Sequence, residues 1–432
     1  MSMRMLSTRG IAPPASISDA IAAGLAPDGG LYMPETLPRF TPTDFDGDAT
    51  LAQVGKRLLR PFFAGDVLEG ELDAICDAAF AIDPPLRAFG ETNDYILELF
   101  HGATAAFKDY GAGFLAAALA ALPRGDKPLT IVVATSGDTG AAVGAAFHRK
   151  PGVRVAILYP DGRVSPRQAH QLGCFGDNVR AFRVAGSFDD CQRLVKTLLS
   201  DAAFKKEVPL GSANSISLGR LLPQMAYYAH ASLAHWRASG RPLNFVVPTG
   251  NLGNALACFI ARRMGLPIGE LVLANNANDA LAKFFEGGDY APQPSIATLA
   301  NAMDVGAPNN FERLQWLEPD AAWLRAQLSA ESVGDDAIRA TIVDTWKRYG
   351  ETVCPHTACA VRVLQRLRTR GVDGDWAAVS TAHPAKFPEV VEPLIGQEVP
   401  LPPALATMLE RPSHAQPLAD DAEALRDLLR KP

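Results

Sequence analysis

Residues 243–264 read LNFVVPTGNLGNALACFIARRM: an apolar run, a glycine loop over 249–254, and a segment of helical composition over 255–264. The same order recurs at 129–149, LTIVVATSGDTGAAVGAAFHR, where residues 135–140 form the loop. Further short β-branched runs lie at 153–159, 179–184, 271–274 and 377–380. Helical segments are predicted at 141–149, 189–199 and 218–236. Several runs are continuously hydrophobic without polar alternation, which implies strands buried on both faces of a parallel sheet. Strand and helix in alternation imply an α/β architecture whose ligands bind beyond the carboxyl ends of the strands.

Outward from this core, residues 1–90 mix short helical patterns with turn signals such as Pro27-Asp28-Gly29-Gly30 and end near Asp83-Pro84-Pro85. They are predicted to form a small N-terminal domain. The tail from Pro400 onward is rich in proline and charge and is expected to wrap the surface. A chain of 432 residues suggests about three structural units. With 48% hydrophobic and 20% charged residues it has a globular profile, which excludes disorder, collagen and coiled coil. The net charge is −6 and the basic residues form no stripe, so nucleic acid is excluded as a partner.

Six cysteines, at 76, 174, 191, 258, 354 and 359, make no C-x-x-C pair and no dense framework, as expected in a reduced compartment. Cys354 and Cys359 bracket His356 at a spacing that fits no common zinc pattern, so no metal is expected. The first ten residues have no apolar block behind Arg4 and Arg9, and Asp19 and Asp28 follow. No nearly apolar stretch approaches the roughly 20 residues of a membrane span. The expectation is a cytoplasmic protein without a membrane partner.

Residues 99–122, LFHGATAAFKDYGAGFLAAALAAL, hold only two full charges, Lys108 and Asp109. If that segment is buried, Lys108 loses solvation and becomes a neutral amine, the form that attacks an aldehyde. Alternatively the two charges mark an exposed helix start. The loop Thr249-Gly250-Asn251-Leu252-Gly253-Asn254 has the arrangement of a phosphate site, although a tight turn would use the same residues. Thr135-Ser136-Gly137-Asp138-Thr139-Gly140 offers hydroxyls and helix-start N–H groups to an anion, or else a helix cap from Ser136, Asp138 or Thr139. Asn214, Ser215 and Arg220 stand at another helix mouth, where Arg220 either grips an anion or is a solvated charge. Ser380, Thr381 and His383 close the last apolar strand, where a hydroxyl meets a ligand nitrogen or ends the strand in a turn.

Seven ordered blocks over nearly the whole chain resemble the threonine synthase family: STRG (7–10) with GLAPDGGLYMP (24–34), ELFHGATAAFKDYG (98–111), ATSGDTGAA (134–142), SANSISLGRLL (212–222), VPTGNLGN (247–254), TLANAMDVGAPNN (298–310) and STAHPAKF (380–387). The resemblance implies pyridoxal-phosphate fold type II, with two parallel-sheet α/β lobes around a cofactor cleft plus the small N-terminal domain. Residues 91–432 would form the catalytic region, with a smaller lobe at about 110–215 inserted in the larger. It implies that Lys108 is the catalytic, cofactor-bearing lysine, that Gly250, Asn251, Leu252, Gly253 and Asn254 cradle the pyridoxal 5'-phosphate group, and that Thr381 faces the pyridine nitrogen. Asp138 would lie by the cofactor's ring hydroxyl, although many relatives of this fold carry Asn there. Ser136, Gly137 and Thr139 would hold the substrate carboxylate, and Ser215 and Arg220 its phosphate.

The implied reaction converts O-phospho-L-homoserine and water to L-threonine and phosphate, the last step of threonine biosynthesis, by a monomer or homodimer. Two other readings stay open on the sequence: a same-fold lyase such as a serine or threonine dehydratase, and a silent relative that only binds phosphorylated ligands. The STRG region and the NAMDVGAPNN block argue against the first, and Lys108 against the second.

Overall fold

The computed structural model describes residues 3–90, 93–123 and 127–431. The expected domain boundary at 90–91 and the two chain ends fall on or beside residues outside that set. In chain order the strands are β1 (Met5–Ser7), β2 (Tyr32–Pro34), β3 (Leu86–Ala88), β4 (Asp94–Glu98), β5 (Leu129–Ala134), β6 (Val153–Pro160), β7 (Val179–Val184) and β8 (Leu210–Ser212). They continue with β9 (Leu243–Pro248), β10 (Ile268–Asn275), β11 (Leu328–Ser332), β12 (Asp375–Ser380) and β13 (Gln416–Leu418). Each continuous apolar run of the sequence is a strand.

The larger sheet has the order β11-β10-β9-β12-β4-β3 and is parallel except for β3 against β4. The smaller, β13-β7-β6-β5-β8, is parallel throughout. β1 and β2 pair antiparallel. The runs lack polar alternation because helices cover both faces: β5, β6 and β12 have buried residues facing alternately in both directions. The fold is the α/β class the sequence predicts, with two sheet-based lobes.

Two segments fold otherwise than as one continuous helix. Residues 218–236 are not one helix but two, Leu218–Leu221 and Gln224–Ser239, parted at Pro223, whose ring removes an N–H and crowds the preceding turn. Residues 99–107 are not helical at all, and the helix of that segment is Lys108–Ala121. The Asp109 carboxylate folds back to accept from Thr104 N–H (2.9 Å) and Thr104 Oγ1 (2.6 Å), and Ala105 takes φ +55°. Gly102 is required there, since a Cβ would lie 2.4 Å from Asp109 Oδ2.

The tail does more than wrap the surface. β13 extends the smaller sheet beside β7, and the helix Ala422–Arg430 buries Leu425 and Leu429 in the apolar cluster beneath β6 and β7. Composition hides this because only one face of that short helix is apolar. Leu425→Ala is expected to cost about 2–4 kcal/mol of stability by denaturant melting; a loss near zero would make the tail a surface appendage.

Candidate active site

The loops that follow β4, β5, β8, β9 and β12 at their carboxyl ends converge on one cavity of about 340 Å³. It is lined by Lys108, Ser136, Asp138, Thr139, Ser215, Arg220, Gly250, Asn251, Leu252, Gly253, Asn254 and Thr381, so the structure brings together every residue that the family resemblance implies for the site except Gly137. Gly137 shapes the turn beneath: it takes φ +135°, and a Cβ there would lie 2.6 Å from the Gln168 amide.

Lys108 opens its helix, where the positive end of the helix dipole disfavours an ammonium. Its loop is stitched to the exit of β12 by Phe107 N–H to Thr381 O (2.9 Å) and His383 N–H to Ala105 O (3.0 Å). The part of Lys108 that is accessible faces the cavity. Burial pulls its amine down to about 8 against the opposing pull of Asp138, with Arg220 and Lys386 adding to the depression. The exposed-helix-start reading is thereby replaced by the desolvated one.

Asp138 is buried and accepts from Lys386 Nζ (2.8 Å) and Gln168 Nε2 (3.1 Å). Desolvation opposes its ionisation, but Lys386 and Lys108 outweigh it and hold the carboxyl well below the usual range. Lys386, fully buried, also donates to Thr104 O at 2.8 Å. Sequence reasoning missed this lysine although it lies inside the quoted STAHPAKF block. His356 also faces the cavity; its Nε2 accepts from Ala302 N–H (3.1 Å), and burial pushes its pKa down to about 4, so the ring is neutral. Of the Cys354–His356–Cys359 grouping, His356 belongs to this wall, while both cysteines are buried in an apolar cluster. Among the described residues no group of three or more His, Cys, Asp or Glu is placed to hold a metal.

The helix Asp138–Phe147 is capped by Thr135, whose Oγ1 accepts from Gly137 N–H and Gly140 N–H, both at 2.9 Å. Ser136 and Thr139 are not needed as caps. Arg220 is 2% exposed, which excludes the solvated-charge reading. Its Nη1 donates to Ala213 O (2.6 Å), its Nε is buried with no partner among the described residues, and burial lowers its pKa to about 10. Of the three candidates after β12, Ser380 is used by Thr357 (3.0 Å) and His383 caps Ala385 N–H (3.2 Å). Thr381 alone faces the cavity.

The glycine loop after β9 needs its glycines. A Cβ at Gly250 would lie 2.7 Å from Met303 Cα, and Leu252 takes φ +64° to start the helix Gly253–Arg263. The side chain of Asn251 is committed to the scaffold: Nδ2 donates to Ser215 Oγ (2.6 Å) and Oδ1 accepts from Asn309 N–H (2.6 Å). Asn254 differs. Its Oδ1 accepts from the hydroxyls of Tyr227 (2.5 Å) and Tyr228 (2.8 Å), which leaves Nδ2 buried, with no partner among the described residues, beside the helix N-terminus. An orphaned donor, a row of helix-start N–H groups and a backbone closed to a Cβ at Gly250 fit a phosphate group, and a depressed lysine amine in the same cavity fits an aldehyde. The residues present therefore fit pyridoxal phosphate.

A family model described as pyridoxal-phosphate dependent enzyme matches residues 88–382. The protein is a pyridoxal-phosphate-dependent enzyme of the carbon–oxygen lyase type. Models described as threonine synthase N terminus and threonine synthase, C-terminal match residues 4–80 and 357–429. The chain is 39% identical over 416 residues to the threonine synthase of Escherichia coli, with 96% of each chain covered. It is similar to the crystal structure of pyridoxal-phosphate-bound threonine synthase from Brucella melitensis (TM-score 0.90, 35% identity, 99% of each chain). It is equally similar to that of threonine synthase from Escherichia coli (TM-score 0.90, 37% identity, 99% of each chain). The chain belongs to the threonine synthase family.

Two outcomes follow from the geometry. A lysine with pKa about 8 is neutral in about one molecule in ten at pH 7, against a few in ten thousand for an ordinary lysine. Cofactor capture by cofactor-free protein is therefore expected to speed up with pH, to be half-maximal near pH 8 and to level off above it; a rate still climbing past pH 9.5 would contradict the desolvated amine. Replacing both Tyr227 and Tyr228 by Phe frees the Asn254 amide to turn, and the cofactor dissociation constant, read by fluorescence titration, is expected to rise about tenfold, the worth of one oriented hydrogen bond. An unchanged constant would remove Asn254 from the phosphate site.

Proposed function

We propose that the protein converts O-phospho-L-homoserine and water to L-threonine and phosphate, with Lys108 as catalytic base and proton carrier. The observation that carries the reading is one cavity lined at once by Lys108, by the glycine loop 250–254 and by Ser215 and Arg220: two phosphate receptors beside one depressed amine. Gly250, Asn251, Leu252, Gly253 and Asn254 hold the cofactor phosphate by backbone N–H groups and the Asn254 amide. Thr381 offers a neutral hydroxyl to the ring nitrogen, and Asp138 stands toward the ring hydroxyl. Pyridoxal phosphate, when bound, supplies the carbonyl that takes the substrate amine and the conjugated system that acidifies its α- and β-carbons.

The chain's own groups do the rest. Lys108 Nζ accepts the α-proton and returns protons to carbon, a task suited to an amine that titrates near working pH. Arg220 and Ser215 hold the substrate phosphate so that it leaves from the γ-carbon, while Ser136, Gly137 and Thr139 hold the carboxylate. Lys386 keeps Asp138 ionised beside Lys108, and neutral His356 adds no competing charge. These assignments are supported by the single cavity they line.

The chain is read as an N-terminal domain over residues 1–90 and a catalytic region over 91–432, whose smaller lobe at about 110–215 is carried by β5 to β8. Every residue assigned a role comes from one chain, which suits a monomer or a homodimer. Among the described residues no helix is long and apolar enough to cross a membrane. Six free, buried cysteines suit the cytoplasm.

Incubation with O-phospho-L-homoserine is expected to release phosphate and threonine in equal amounts, and Lys108→Ala to release neither. A 2-oxo acid in place of threonine would indicate the dehydratase reading, and ligand binding without turnover the silent one.

A further inference from the structure

Two sequence blocks, STRG and PDGG, have no part in the reaction as derived so far, yet both reach the cavity. Arg9, Leu25, Gly29 and Leu31 line it from the N-terminal segment. The PDGG turn is the seat of Arg9. The guanidinium lies across Gly29, where a Cβ would stand 2.7 Å from Nη1, and Nη1 donates to Asp28 O at 3.0 Å. Asp28 is itself fixed by Ser7 Oγ (2.7 Å) and the N–H groups of Gly30 (2.9 Å), Ala12 (2.9 Å) and Ile11 (3.1 Å). Arg9 Nη2 has no partner among the described residues. Glu312, 3.6 Å from Arg9 Nε, is the nearby carboxylate and is also bonded by Thr8 Oγ1 at 2.5 Å.

Lys196, on the helix Phe188–Ser200, lines the same cavity and has no carboxylate partner among the described residues. With Lys108 taken up by the cofactor, the cavity wall carries Arg9, Lys196 and Arg220 against Asp138 and Glu312, and Asp138 is already matched by the buried Lys386. In a chain of net charge −6 this is a local reversal of sign. A cleft of one sign with low-dielectric walls focuses its field and raises the capture rate of oppositely charged ligands.

We propose that Arg9 and Lys196 form a cationic rim that captures the dianionic phosphate of the incoming substrate and passes it inward to Arg220. The N-terminal segment thus supplies a substrate-recruiting wall rather than packing alone. This rests on the phosphorylated-substrate reading above. The rim acts on entry, so its effect falls on KM and on salt dependence, and it leaves the cofactor's environment as it is.

The test uses holoenzyme and O-phospho-L-homoserine over ionic strengths from about 0.02 to 0.3 M, the range across which screening removes such fields. Wild-type kcat/KM is expected to fall steeply with salt. Arg9→Gln and Lys196→Gln are each expected to lower kcat/KM about fivefold or more at low salt, chiefly through KM, and to flatten the salt slope. Arg9→Lys should keep the slope. Glu312→Gln, which uncovers Arg9, should act in the opposite direction and raise kcat/KM at low salt.

A structural Arg9 would lower the melting temperature and leave the slope unaltered, and that result overturns the proposal. So would wild-type slopes in both Lys196→Gln and Glu312→Gln, which keeps the test decisive if Arg9→Gln does not fold. Failure of the underlying reading shows itself separately, as wild-type enzyme that releases no phosphate from the substrate.

Discussion

The site depends on keeping an amine dry beside a buried ion pair. Lys108 lies where solvation is lost and where the helix dipole opposes its charge, while Asp138, held ionised by Lys386, pulls the other way. The balance leaves the amine titrating near 8 rather than far below. Removing one partner of such a buried pair strands the other charge and costs about 3–5 kcal/mol in comparable cases. The loop before Lys108, the glycine at 102 and the turn at Gly137 are all shaped around these charges: Asp109 closes the loop, Gln168 packs on Gly137 and bonds Asp138, and Lys386 reaches Thr104 O.

The two lobes meet in this arrangement. β5 and β8 bring Ser136, Asp138, Thr139 and Ser215 from the smaller sheet, while β9 and β12 bring the glycine loop and Thr381 from the larger. A chain of polar contacts ties the two phosphate receptors: Gln224 Nε2 donates to Arg220 O (2.7 Å), the Tyr227 hydroxyl lies 3.1 Å from Gln224 Oε1, and Tyr227 and Tyr228 donate to Asn254. Below it, Arg313 is wholly buried among neutral acceptors, donating to Tyr32 O (3.1 Å), Asn310 Oδ1 (2.7 Å) and Ile216 O (2.7 Å). It joins the N-terminal segment, the helix mouth near Ser215 and the Asn309–Asn310 block that braces the glycine loop.

What could be read from the sequence divides along a physical line. The central strands were legible because a strand covered on both faces must be continuously apolar, and the two strand–loop–helix units because glycine and hydroxyl residues cluster where a helix begins. β3, β8 and β13 were not legible: three residues carry no periodicity, and their pairing is decided by distant partners. Lys108 and Arg220 were each balanced between burial and exposure, since composition does not say which way a side chain turns. Lys386 and the tyrosine pair left no local signal, because each acts on a residue more than 25 positions away. The family resemblance named the cofactor loop but did not separate Asn251, spent on the scaffold, from Asn254, left free.

The central claim is that Lys108, rather than the fully buried Lys386 or the rim Lys196, carries the cofactor. Reduction of holoenzyme with borohydride followed by digestion and mass spectrometry tests it most directly. The account predicts the pyridoxyl mass on the peptide that contains Lys108 and on no other. The mass on a peptide holding Lys386 or Lys196, or its absence from Lys108, would contradict it.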